Sequence, residues 1–142
     1  MEAPKKLSRP VSSDKATQAM GSLISEMLMA SMHTHKLHLK VRSTGSYAQH
    51  KALQEFYEGI QDQLDTLAEQ YQGHKMLLLN IGEPVMKNIS LQSVENCLDY
   101  LDKLYTLISE TQSMMTCSSI INEMDNTKGL INSTKYKLKF LS

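Results

Sequence analysis

HLKVRSTGSYAQHKALQEFYEGIQDQLDTLAE, residues 38–69, sets the architecture of this chain. From His50 on, Leu53, Tyr57, Ile60, Leu64, Leu67 and then Tyr71 recur at alternating steps of three and four. That rhythm draws one stripe along an α-helix and predicts a helix over 46–71. Upstream, Met20, Leu23, Ile24, Met27, Ser31, His35 and His38 keep the same rhythm, predicting a helix from about Ala16 to Lys40. Between them Ser43-Thr44-Gly45-Ser46 reads as a turn. Two helices folded antiparallel about Gly45 bring His38 and His50 opposite each other, each about one and a half turns from the bend.

Four residues stand out on this hairpin: His38, His50, Asp65 and Glu69, at spacings of 12, 15 and 4. Two imidazoles and two carboxylates suit iron or a similar divalent metal. From His50 to Asp65, however, one helix covers about 22 Å at ~1.5 Å per residue. Ligands to one ion must lie within roughly 2–2.2 Å of it. A single copy therefore cannot close such a site, whereas two copies packed antiparallel can, and a two-fold dimer then carries two identical sites. The centre of that pairing falls near Glu58 and Gly59, where a missing side chain is expected to let two backbones approach.

The pattern H-x11-H-x14-D-x3-E, with LxxFYxxIxxxxDxLAE in its second half, resembles the Dps family, the mini-ferritins that protect DNA in starved bacteria. The likeness runs from Met20 to about Gly73. It implies an all-α, ferritin-like four-helix bundle with a short helix in the link between helices two and three. It also implies two-fold dimers, six of which close a dodecamer. His38 and His50 of one chain, with Asp65 and Glu69 of its partner, would be the metal ligands and catalytic residues of a ferroxidase. There Fe(II) would be oxidised by peroxide or dioxygen and stored as ferric iron, protecting DNA from oxidative damage. The sequence departs from the family pattern at Leu39, where Trp is usual, and at Gln54, where Asp is usual. Lys40 and Ser43 replace the Asn and Gly that follow the first His, and Gly45 comes later. Losing the Asp removes a hard anionic group and weakens iron binding. The alternative is thus a Dps-fold structural, interaction or DNA-binding protein with a degenerate metal site.

The remaining features bound the reading. At 142 residues and 41% hydrophobic content the chain suits one domain. Residues 1–16 read as a flexible basic tail, and 17–142 as the bundle. Lys5, Lys6, Arg9 and Lys15 make the tail a candidate DNA-binding element of the kind several Dps-like proteins carry. A formal net charge of zero gives no global pull towards nucleic acid. Cys97 and Cys117 show no metal or redox spacing and read as reduced thiols of a cytoplasmic protein. No apolar run approaches the ~20 residues of a membrane span, and no signal-peptide core is present.

The link from His74 to Asn88 holds the run Met76-Leu77-Leu78-Leu79, a fit for the short extra helix, then Gly82 and Pro84. Gly73 is expected to end helix two. Ser90 is expected to cap helix three, whose stripe is Leu91, Val94, Leu98, Leu101, Tyr105 and Ile108, ending near Thr116. Helix four, Ser118 to Phe140, carries Ile120, Met124, Thr127, Ile131, Thr134, Leu138 and Leu141. Neither helix three nor helix four has the Glu-x-x-His pair of a metal site inside one bundle, which again moves any site to a subunit interface. No Gly-rich phosphate loop, nucleophile elbow or zinc-ligand cluster occurs.

Overall fold

A computed structural model describes residues 14–42 and 44–141. Lys5, Lys6 and Arg9 of the expected tail lie outside these residues, while Lys15 begins the first helix. Four helices follow in order: α1 (Lys15–His38), α2 (Ser46–Lys75), α3 (Val94–Gln112) and α4 (Ser118–Phe140). Among the described residues there is no strand. The helices pack as a four-helix bundle in which α1 touches α2 and α3, and α4 touches α2 and α3. Contacts from Lys137 to Glu55, Leu130 to Gly59 and Thr127 to Gln63 run α4 antiparallel to α2. Those from Lys135 to Asp102 and from Gln112 to Ile121 run α3 antiparallel to α4. It follows that α2 ends and α3 begins at opposite ends of the bundle, and the link 76–93 crosses its whole length.

Local chemistry fixes the helix ends. Asp14 accepts the Ala16 N–H at 3.0 Å and the Thr17 hydroxyl at 3.2 Å, capping α1. Gly45 precedes α2 with φ of 84°, a left-handed conformation that glycine adopts without strain. Helix α2 passes through the expected stop at Gly73 and runs to Lys75. The chain instead leaves the helix at Met76, in a left-handed conformation with φ of 53°. Ser93, rather than Ser90, caps α3, its hydroxyl oxygen accepting the Asn96 N–H at 3.1 Å.

The core comes from all four stripes. Leu53, Phe56, Ile60, Leu64, Leu67 and Tyr71 of α2 are buried, as are Ile120, Met124, Ile131 and Leu138 of α4. Thr127 and Thr134 are also buried, their hydroxyls donating back to the Glu123 and Leu130 carbonyls one turn earlier. In α3 the period of the stripe holds but its phase moves. Cys97, Tyr100, Leu101, Leu104 and Ile108 face inward, while Leu98 and Tyr105 are half-buried flanks.

The expected short helix in the link is absent: no residue of 77–93 is helical. Gly82 and Pro84 follow the run and disfavour a helix there, and the bundle's own side chains satisfy backbone groups of the link in place of helical bonds. Gln72 accepts the Leu79 N–H at 2.9 Å, Ser25 donates to the Gly82 carbonyl at 2.7 Å, and Glu26 accepts the Met86 N–H at 2.7 Å. At Gly21 the link lies so close that a Cβ would stand 2.3 Å from the Asn80 oxygen. Leu79 and Leu91 anchor the strap in the core, whereas Met76 and Leu78 of the apolar run are exposed. Among the described residues no helix is long and apolar enough to cross a membrane.

Candidate functional site

The α1–α2 elbow joins the two histidines by a reciprocal clasp. His38 Nδ1 lies 2.7 Å from the His50 carbonyl oxygen, and His50 Nδ1 lies 3.0 Å from the His38 carbonyl oxygen. A carbonyl oxygen only accepts, so each Nδ1 carries the hydrogen and donates it. In the tautomer this bond selects, the lone pair is on Nε2, as in histidines whose Nδ1–H is held by a carbonyl so that Nε2 can ligate a metal. The His38 carbonyl also belongs to the last turn of α1, where no helical N–H remains to pair with it, so the clasp caps the helix as well.

The rings themselves stack, with centroids 3.5 Å apart and planes 23° from parallel. His35 stacks on Tyr57 at 4.0 Å, and the Tyr57 ring meets His38 edge-on at 5.3 Å. Four rings from two helices thus form one cluster, with His38 buried and His50 half-buried. Its geometry restricts coordination. Lone pairs lie in the ring planes, so two nearly parallel rings direct theirs past each other. An ion held by both at roughly 2 Å would stand far out of each plane. Within one chain, therefore, the pair does not fit a single shared ion.

The carboxylates lie elsewhere. Helix α2 is unbroken from Ser46 to Lys75, which keeps Asp65 and Glu69 at the far end from His50, both exposed. Among the described residues no group of three or more His, Cys, Asp or Glu is placed to hold a metal. Glu55, Glu58, Asp62, Asp65 and Glu69 recur at steps of three and four, giving α2 an exposed acidic stripe. Gln54, in the departure position, donates to Glu58 at 3.1 Å. Gly59 does not mark an open seam on this helix: a Cβ there would meet the Leu130 side chain of α4 at 3.1 Å. The missing side chain serves packing inside the bundle, which corrects its expected role at a dimer centre.

A second polar cluster escaped the sequence reading. Glu26 is completely buried on α1, with one oxygen accepting from Met86 N–H and the other from the Tyr100 hydroxyl at 2.6 Å. Burial, and then the bond to Glu26, push the Tyr100 hydroxyl far above its usual range. His33 meets the Tyr100 ring edge-on at 5.5 Å, and burial lowers its pKa. The signal lay in spacing: Leu23, Glu26, Met27 and Ala30 fall on one side of α1, so the acid interrupts an apolar face. Because the link binds one of its oxygens, this cluster ties the crossover strap to the bundle.

Residues 38–138 match a family of unknown function (DUF5856), and the chain belongs to that family. Comparison with curated proteins and with solved structures returned no match.

Proposed function

We propose that this chain is a Dps-like mini-ferritin of the cytoplasm that binds and oxidises Fe(II) between copies and stores ferric iron in an oligomeric shell. The observation that carries the reading is the histidine clasp, which points each imidazole's protonated nitrogen at a carbonyl and reserves Nε2 for an ion. Asp65 and Glu69, exposed at the other end of the same rod, supply the anionic half from a partner chain. Leu28, Met32 and Leu39 support a partner on this side of the bundle. They form one exposed apolar stripe along α1, in step with His35, which stacks on α2.

In this reading iron is the substrate. Each Nε2 would hold iron, and the partner's carboxylates would bring negative charge that favours ferric over ferrous iron. Peroxide or dioxygen takes up the electrons. Paired chains are the working unit, and the resemblance carries six such pairs to a dodecamer. Removing iron from radical-forming chemistry would protect DNA.

A mixing experiment tests the shared site. Chains with His38→Ala and His50→Ala, and chains with Asp65→Asn and Glu69→Gln, should each lose Fe(II) oxidation by peroxide, followed as ferric absorbance. Co-refolded, they should regain roughly a quarter of wild-type activity, because a mixed pair holds one intact site in two. A clasp variant that oxidises iron as fast as wild type would refute the ligands.

The replacement of Asp by Gln54, with its amide turned to Glu58, favours a second reading. Here the protein assembles for a structural, interaction or DNA-binding role around a degenerate metal site. It predicts an oligomer that contains no metal and is indifferent to Asp65→Asn.

A further inference from the structure

A cavity of about 150 Å³ opens between the α1–α2 elbow and the start of α3. Lys40 and Arg42 line it from the elbow, Gln49 from the first turn of α2, and Gln92, Ser93 and Val94 from the beginning of α3. Two cations thus face a helix N-terminus across an open space. Among the described residues neither Lys40 nor Arg42 has a carboxylate within 4.0 Å; the ion pairs that form are Lys87–Glu83, Lys135–Asp102 and Lys137–Glu55. Among the described residues the Lys40 ammonium makes one hydrogen bond, a long one of 3.4 Å to the Gln92 side-chain oxygen.

The α3 side adds donors. Ser93 uses its oxygen to accept the Asn96 N–H, which leaves its hydroxyl hydrogen to donate elsewhere. The Val94 and Glu95 N–H groups have no helical acceptor, and the positive end of the helix dipole lies here. Glu95 is the acid of this first turn, but it is exposed and not part of the lining. One water needs ~10–15 Å³ of such space. The cavity therefore has room for a tetrahedral oxyanion with water around it.

We propose that this cavity binds a phosphate group. Arg42 can fork onto two oxygens, Lys40 adds a point charge, and the Ser93 hydroxyl and free α3 N–H groups reach the remaining oxygens. Donors from three elements around one space suit an anion with three or four acceptor oxygens. The group can belong to inorganic phosphate or to a nucleic-acid backbone. This inference is independent of the iron reading.

Calorimetric titration of the full chain with inorganic phosphate at low ionic strength tests it, alongside gel retention of a short DNA duplex. Wild type should bind, and Lys40→Gln with Arg42→Gln should weaken binding about ten-fold or more while helical content stays unchanged. Gln49→Glu, which puts a carboxylate into the cavity, should abolish uptake. Duplex retention that needs both cations, without uptake of free phosphate, assigns the group to a nucleic-acid backbone. Wild type binding neither probe, or binding undiminished in both the double variant and Gln49→Glu, overturns the proposal.

Discussion

His38 and His50 hold each other twice, each imidazole donating to the other's main-chain carbonyl while the rings stack at 3.5 Å. The pair is therefore a structural fastener of the α1–α2 elbow in addition to a candidate ligand set. Removing one ring leaves a carbonyl without its donor and the other ring without its stack. Each of His38→Ala and His50→Ala should cost about 1–3 kcal/mol of unfolding free energy. The double variant should lose less than the sum by about 0.5–1.5 kcal/mol. Urea denaturation of the four proteins in the cycle measures this, and strict additivity would show that the rings do not act together.

The glycines give predictions of opposite sign. At Gly21 a Cβ would collide with the Asn80 backbone oxygen, so Gly21→Ala should push the link away and cost about 1–3 kcal/mol. Gly73 and Gly129 are helical with nothing within 4 Å of a new Cβ. Gly73→Ala and Gly129→Ala should each stabilise the fold by up to about 1 kcal/mol. Thermal melts of the three single variants separate the two classes.

The two thiols should differ sharply in reactivity. Burial pushes Cys97 up to about 12. Cys117 is lowered by the Ser119 hydroxyl and by the Ile120 N–H at the start of α4. In native protein near neutral pH, a thiol reagent should modify one cysteine quickly, and Cys117→Ser should remove that fast phase. A fast phase that survives in Cys117→Ser would contradict this assignment.

Acid should act through His33. Burial lowers its folded pKa below the unfolded value, so the folded state binds the proton less readily than the unfolded chain. The stabilising contribution is complete above the unfolded pKa, about 6.5, and fades as pH falls through the window below it. His33→Gln should flatten this part of the stability–pH curve. An unchanged slope between about pH 7 and pH 5.5 would dismiss His33 as its source.

The four long helices and their order were legible in the sequence because a period near 3.6 is a local property. The rhythm from His50 to Tyr71 marks α2, and Ile120 to Leu138 marks α4 with its buried face in the right phase. For the same reason the length of α2 alone determined that no single copy can join His50 to Asp65. Contacts between elements were not legible in this way. The phase of α3, the use of Gly59 against Leu130 and the non-helical path of the link all depend on how helices rotate and pack on their neighbours. So do the stacking of His38 on His50 and the meeting of Lys40 and Arg42 with the start of α3. Periodicity reports which residues share a side of one helix, whereas only packing in three dimensions decides what that side meets.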